Sequence, residues 1–297
     1  MKTYKLFLIS LILCLIVSLA FAQKQHVPLF SKQNLVAWCI VPYDNKERSP
    51  AERATMLKEL GITQLAYDWR DKHLPTLAEE IKTLRKADIK LKAVWFWING
   101  SGEETLDKSN NFILKTLKEN AVKTELWLSF NDNFFAELSD DEKLRKAVRA
   151  IEEINRRARG IGCTLHLYNH GNWFGEPVNQ VRIIEEIGAG DIGIVYNFHH
   201  ARHQVSNFPE LLKIMLPYLS TVNINGMRED APMILPVGEG DREAEMLKEL
   251  KKSGFTGTIG ILGHVEDEDA KVVLQKNIEG LKELLKELDE TKALKTY

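Results

Sequence analysis

Eight short runs rich in β-branched and apolar residues alternate along this chain with eight charged, amphipathic stretches, and that alternation limits the fold more than any other feature. The runs predict strands over residues 35–41, 63–67, 91–97, 125–130, 164–168, 192–197, 221–225 and 258–262. The stretches between and after them predict helices over 50–60, 75–87, 103–120, 141–159, 177–187, 209–219, 241–253 and 268–289. Most strand runs are apolar throughout, as strands covered on both faces of a parallel sheet are. Each helix gives the chain the length it needs to return to a parallel neighbour.

Strict alternation with eight strands predicts closure into a single-domain α/β fold, the (β/α)8 TIM barrel. An open, doubly wound sheet is the rival. That fold usually carries a glycine-rich phosphate loop after its first strand. Here the corresponding segment, Cys39-Ile40-Val41-Pro42-Tyr43-Asp44, has no glycine. No glycine-rich phosphate cradle stands elsewhere, so no nucleotide cofactor is expected. Helix starts are marked by Pro50, Pro75, Pro177 and Pro209, each at a first helical position, with Ser49 as an N-cap and Ser139-Asp140-Asp141 as a capping cluster. Pro217 is expected to kink or end the sixth helix. The charged tail from Leu281 to Tyr297 is expected to be a helix that frays at its end.

The N-terminus reads as a secretory signal over residues 1–22, ahead of a barrel domain over 23–297. Lys2 and Lys5 precede an apolar run from Leu6 to Leu19, and Ala20-Phe21-Ala22 makes a small-x-small cleavage site before Gln23. The apolar run is short for a membrane span of about 20 residues, so the mature protein is expected to be exported, periplasmic or secreted, with no membrane attachment. Cys14 follows Leu13 rather than a small residue, which argues against lipid attachment there. The 40 Lys and Arg nearly balance the 42 Asp and Glu and are interspersed with them, which gives no basis for a nucleic-acid or anionic-membrane partner. Cys39 and Cys163 remain after cleavage. They fall on or beside the first and fifth strands, across the barrel from each other, and are expected to be free, buried and unreactive.

A barrel of this kind keeps its chemistry at the C-terminal ends of its strands. Of the eight histidines, six stand just past a strand end: His73, His170, His199, His200, His203 and His264. His26 lies in the leader region and His166 inside the fifth strand. Any one of these is as easily a surface-loop histidine, or for His166 a satisfied core residue; it is their gathering on one rim that signals a site. Alternation on the fifth strand puts Thr164, His166, Tyr168 and His170 on the inward face and Leu165 and Leu167 outward. If the sixth strand continues through Asn197, His199 and His200 point opposite ways and only one faces the mouth.

Some segments carry a resemblance. Gly238-Glu239-Gly240-Asp241, followed by a helix and Gly254-Phe255-Thr256-Gly257, resembles the stretch before strand eight in xylose-isomerase-like barrels. Asn197-x-x-His200 is similar to that family's Asp-x-x-His element after strand six. Tyr168-Asn169-His170-Gly171-x-Trp173-Phe174-Gly175-Glu176-Pro177 and Tyr196-Asn197-Phe198-His199-His200 resemble an exported subgroup linked with keto-sugar metabolism. The resemblance implies a divalent metal held by Glu, Asp, His and Glu on strands five to eight. At those positions this chain has Tyr168, Asn197, Asn223 and Leu262 or Gly263, so all four ligands, and the family's pair of glutamate bases, are replaced.

His170, His200 and His264, with Glu176 nearby, form a candidate replacement set. Three imidazoles and a carboxylate would suit Zn²⁺, Mn²⁺ or another first-row ion. Without a metal the same four residues would serve as general acids, bases or hydrogen-bond donors. Aromatic residues at the mouth (Trp69, Trp95, Trp97, Trp173, Tyr168, Tyr196) suit a sugar ring, and Asp68, Arg70, Asn99, Asn197 and Asn223 would fix its hydroxyls. The expected partner is a small carbohydrate, and export argues against a phosphorylated one. The resemblance implies a lyase or hydratase acting on a 3-keto-sugar by α-proton abstraction. A sugar isomerase or epimerase, and a non-catalytic sugar-binding barrel, are the alternatives.

Overall fold

The computed structural model describes residues 27–99, 105–228 and 234–297. Residues 1–22, read from the sequence as a secretory signal, lie with Cys14 outside the described residues, as do His26 and the first residues of the helix expected from 103. Eight strands form the barrel: β1 (Leu35–Trp38), β2 (Gln64–Tyr67), β3 (Lys90–Ile98), β4 (Glu125–Phe130), β5 (Thr164–Tyr168), β6 (Ile192–Asn197), β7 (Leu219–Ile224) and β8 (Thr258–Leu262). They pair in sequence order, β8 closes on β1, and every pair is parallel.

The helices are α1 (Pro50–Leu60), α2 (Leu77–Lys86), α3 (Lys108–Glu119), α4 (Asp140–Gly160), α5 (Pro177–Ile187), α6 (Phe208–Met215), α7 (Glu243–Lys252), α8 (Ala270–Glu287) and a last turn, α9 (Thr291–Leu294). Local chemistry sets their ends. Ser49 accepts from the Glu52 N–H while Glu52 accepts from the Ser49 N–H at 2.9 Å, a reciprocal cap on α1. Gly61 closes the same helix at φ 70°, a conformation with no penalty for glycine. Ser139 and Glu142 repeat the device on α4.

Several boundaries differ from the sequence expectation, each for a visible reason. β1 stops at Trp38 rather than continuing to 41, because Cys39 turns the chain out of the sheet at φ 57°. Pro75 lies inside a 3₁₀ turn (Asp71–Thr76), so α2 begins only at Leu77. α3 begins at Lys108, where Asp107 accepts from the Asn110 N–H at 2.9 Å. α6 ends at Met215, ahead of Pro217, as the proline demanded. The tail does not fray. α8 ends at Glu287, α9 turns back, and the Tyr297 hydroxyl donates to the Phe30 carbonyl at 2.8 Å, with Ala293 fully buried.

Two cores result. The larger lies between barrel and helices and takes in Leu165 and Leu167. The smaller fills the barrel and holds Val36, Trp38, Ala66, Ala93, Trp127, Tyr168, Val195 and Leu262. The alternation expected on β5 therefore holds. Small residues make room for the large ones: a Cβ on Gly193 would stand 2.4 Å from His166 Nδ1, and one on Gly260 would stand 1.7 Å from Asn223 Oδ1. Towards the N-terminal end the filling is polar. Lys92 pairs with Glu125 at 2.5 Å, Trp127 Nε1 donates to Glu125 at 3.0 Å, and His166 bonds Ser220 Oγ at 2.6 Å. That layer plugs one end of the barrel, so any cavity must open at the other. Cys39 and Cys163 are both free and buried.

Candidate active site

The C-terminal ends of the strands enclose a cavity of about 770 Å³. Trp95 and Trp97, two residues apart on β3, stack at 5.8 Å with their planes 16° apart and form one wall. From that wall a row of imidazoles crosses the mouth. His170 meets both tryptophans edge-on, at 5.8 and 5.1 Å between ring centroids. His170 and His200 are 4.6 Å apart, His200 and His199 4.3 Å, and His199 and His264 5.4 Å. Tyr43, from the loop after β1, ends the row at 3.6 Å from His264.

Both His199 and His200 line the cavity, which corrects the expectation that only one would. The strand does not continue past Asn197. Its side chain accepts from the His199 N–H at 3.1 Å and starts a 3₁₀ turn (Phe198–His200), which brings both rings to the mouth.

The electrostatics of the row are those of desolvated bases. Burial lowers His200 to about 2, helped by its neighbours His199, His170 and His264. Burial also lowers His264 to about 4, with His199 and Arg70 adding to it. It lowers His170 as well, against the opposing charge of Asp132. All three are neutral imidazoles at neutral pH. His170 Nδ1 is buried with no hydrogen-bond partner.

Asp68, just past β2, lines the same cavity and is 3% exposed. Its Oδ1 accepts from the Val41 N–H at 3.3 Å, and its Oδ2 has no hydrogen-bond partner. Burial raises it to about 7, with Arg70 opposing. Arg70 does not pair with it. That guanidinium donates to Tyr43 Oη at 2.6 Å and to the Trp69 carbonyl at 2.8 Å. Beside Asp68, burial and the aspartate's charge hold the Cys39 thiol well above its ordinary range, so it is a protonated, unreactive thiol.

Tyr168 and Asn197 form the floor, and Asn99 lies on the rim, where it accepts from Trp97 Nε1 at 3.3 Å. Asn223 is fully buried next to Tyr168, below the cavity lining. Glu176 does not join His170, His200 and His264. Its carboxylate accepts from Gln204 at 2.8 Å and bonds His203 at 2.9 Å outside the cavity. Trp173 is likewise outside and donates to Asp140 at 2.7 Å. His73 serves its own turn, where its Nδ1 accepts from the Arg70 N–H at 2.9 Å. Tyr43 and Trp38, together with Asp71, Lys72, Asp107 and Ser109, are lining residues the sequence reading passed over. Tyr43 stands past the end of the first strand run, the one position signal it carries.

Neutral imidazoles have the donor chemistry of a late first-row metal site, but their arrangement does not make one. Among the described residues no three His, Cys, Asp or Glu side chains are gathered where they could hold a metal ion.

Fold and mouth together define a TIM barrel with an aromatic-walled, imidazole-lined cavity at the C-terminal ends of its strands. No protein-family model matches the chain, and no curated protein matches it in sequence. Its structure is similar to those of xylose-isomerase-like barrels. One is the 3-keto-D-glucoside 4-epimerase from E. coli, with 14% identity, a TM-score of 0.64, and coverage of 85% of this chain and 100% of that one. Another is a probable 3-DHS dehydratase from Bacillus anthracis, with 14% identity, a TM-score of 0.62, and coverage of 83% and 98%. A third is a xylose isomerase-like TIM barrel protein from Mycobacterium smegmatis in complex with magnesium, with 14% identity, a TM-score of 0.57, and coverage of 88% and 97%. At these identities the likeness is one of fold.

Proposed function

We propose that this chain is a carbohydrate-active lyase or hydratase that abstracts the proton α to the ketone of a 3-keto-sugar. It would release the aglycone of a 3-ketoglycoside by elimination, or hydrate the 2-hydroxyglycal-type enone that elimination leaves. One observation carries the reading: a neutral imidazole, His170, and a buried carboxyl poised near neutrality, Asp68, line a single cavity walled by stacked tryptophans.

The roles follow from protonation state. His170 takes the C2 proton, and the C–H electron pair becomes the C2=C3 bond of an enolate. As the ketone re-forms, C1=C2 forms and the C1–O bond breaks. Asp68, in its carboxylic acid form, protonates the leaving oxygen. Hydration is the same sequence in reverse. Trp95 and Trp97 hold the sugar ring, and His200, His264 and Asn99 reach its hydroxyls. Two of the similar structures support this chemistry on such a barrel, one acting on a 3-keto-glucoside and one named a probable dehydratase. Residues 1–22, read as an export signal, fit an unphosphorylated substrate met outside the cytoplasm.

An epimerase shares the first step and differs in returning the proton to the other face. The row of imidazoles favours it as the second reading, since it spans the mouth from Trp97 to Tyr43. Incubation with methyl 3-oxo-β-D-glucopyranoside in D₂O, followed by proton NMR, separates these outcomes. Methanol release is expected. Deuterium at C2 without methanol would turn the assignment to an epimerase. Binding with neither, and no hydration of the 2-hydroxyglycal-type enone, would leave a sugar-binding barrel.

A further inference from the structure

The floor of the cavity holds a hydroxyl whose hydrogen bonds are all incoming. Trp38 Nε1 donates to Tyr168 Oη at 3.0 Å, and Asn197 Nδ2 donates to it as well. A phenol oxygen has room for two such bonds and one proton of its own to give. Among the described residues nothing takes that proton. Asn223, the remaining polar side chain beside it, stands within reach of the phenol as a further donor but completes no hydrogen bond of good geometry. Tyr168 is 2% exposed and lines the cavity.

The ring cannot turn away. Trp95 meets it edge-on at 4.9 Å, Trp38 stands at 5.8 Å, and Trp127 stacks on it at 6.0 Å. The nearest groups across the cavity are bases, with the His200 ring 5.8 Å away and His170 next to His200. Burial raises the phenol well above its ordinary range, so it is a neutral O–H donor at any working pH.

We infer that Tyr168 is a catalytic hydrogen-bond donor, its hydroxyl aimed at the carbonyl oxygen of the keto-sugar and bearing the charge that gathers there as the α-proton leaves. The inference rests on the function proposed above and adds the group that reaction needs at the oxygen. When the C2–H bond breaks and its pair forms C2=C3, the C3=O π pair moves onto oxygen, where the Tyr168 proton meets it. The tyrosine keeps its proton and needs no co-reactant. Trp38 and Asn197 strengthen it, because each incoming bond polarises the O–H it leaves free. A fixed donor facing developing charge in a dry site is among the larger single contributions an enzyme can make.

The test uses the full chain and two probes, methyl 3-oxo-β-D-glucopyranoside and its C3 alcohol, methyl β-D-glucopyranoside. The wild type is expected to bind the ketone roughly tenfold more tightly than the alcohol and to lower the stretching frequency of a ¹³C-labelled carbonyl. Tyr168→Phe should bind the alcohol as the wild type does, lose the preference for ketone, lose the frequency shift, and slow deuterium uptake at C2 by roughly 10²–10³-fold. Trp38→Phe keeps the hydroxyl and removes one of its donors. It should give a partial loss of shift and rate, and so decides the matter if Tyr168→Phe does not fold. A Tyr168→Phe enzyme that keeps both the shift and the exchange rate would overturn the inference and leave the proposed reaction standing. A wild type that prefers and polarises the ketone through Tyr168 without exchange or cleavage would uphold the donor and overturn the reaction. A wild type that binds neither probe would overturn both.

Discussion

The ring of His264 lies 3.6 Å from that of Tyr43, centroid to centroid, and so ties the loop after β8 to the loop after β1. Tyr43 also accepts from Arg70 at 2.6 Å, and the Arg70 guanidinium stands 5.3 Å from its ring. One aromatic side chain therefore positions an imidazole and a guanidinium at the mouth. Tyr43→Ala is expected to raise KM for the keto-sugar by roughly tenfold or more, since about 1.4 kcal/mol corresponds to a factor of ten, with a smaller fall in kcat. Tyr43→Phe keeps the stacking and should stay near the wild type in both. Equal losses in the two variants would mean that the hydroxyl, not the ring, does the positioning.

Asp68 sets the alkaline side of the pH profile. It must be protonated to act as the acid, and burial has raised it to about 7. kcat/KM should therefore fall as pH rises above about 7, and fall again in acid as His170 protonates, below its ordinary 6.5. Linkage gives the matching stability effect. A carboxyl whose folded pKa lies above its unfolded value holds its proton more tightly when folded, so its contribution is full in acid and is lost as pH rises towards 7. At pH 8 the buried carboxylate opposes folding. Asp68→Asn should thus abolish most activity while raising stability at pH 8, by ~4 kcal/mol at most. Thermal melts of both proteins at pH 5 and pH 8 check it. A variant no more stable at pH 8 than at pH 5, relative to the wild type, would remove the case for a perturbed carboxyl.

How much of this was legible in the sequence depends on whether the signal was periodic or three-dimensional. The eight strands were readable because each apolar run is short and flanked by a charged helix of the other period. Tyr168 and His170 were readable because alternation on β5 is local. The ends of β1 and α2 were not, because they depend on Cys39 adopting positive φ and on a 3₁₀ turn absorbing Pro75. His199 joined the mouth only through the turn that the Asn197 side chain starts. Glu176 lies six residues past His170 in sequence, yet its carboxylate is turned to Gln204 and His203, a pairing that no spacing announces.

The arrangement of the imidazoles makes a direct prediction. With no three ligating side chains among the described residues placed to hold one ion, prolonged treatment with a chelator, followed by desalting, should leave deuterium exchange at C2 unchanged within a factor of two or so. Elemental analysis of the purified protein should find well under one equivalent of zinc, manganese or cobalt. Loss of exchange on chelation with recovery on adding one of these ions would overturn this, and would point to movement of His170, His200 and His264 towards one another on binding.

The polar plug beneath the site should make the barrel acid-sensitive. Burial alone would raise Glu125, but the facing charges of His166 and Lys92, with hydrogen bonds from Lys92 and Trp127, outweigh it and hold the carboxyl below its ordinary range. Burial holds His166 below its ordinary value, against the pull of Glu125. Both signs agree. A depressed carboxyl contributes stability above its unfolded pKa that is lost as pH falls through the folded one. A depressed histidine is neutral when folded, so unfolding gains protons below about 6.5 and stability declines from there downward. His170, His200 and His264 in the mouth add the same slope. The raised carboxyls of Asp68, Glu80 and Glu243 oppose that slope, so the melting temperature should fall from pH 6.5 towards pH 4 less steeply in the wild type than in Asp68→Asn, which lacks the largest opposing group. Glu125→Gln strands the ammonium of Lys92, whose side chain is 10% exposed, and is expected to destabilise by about 3 kcal/mol. Lys92→Met with Glu125→Leu removes both charges together and should recover much of that loss, because an apolar pair of similar volume needs no partner. A double variant as unstable as Glu125→Gln alone would show that Trp127 and His166, rather than the ion pair, are what the barrel floor depends on.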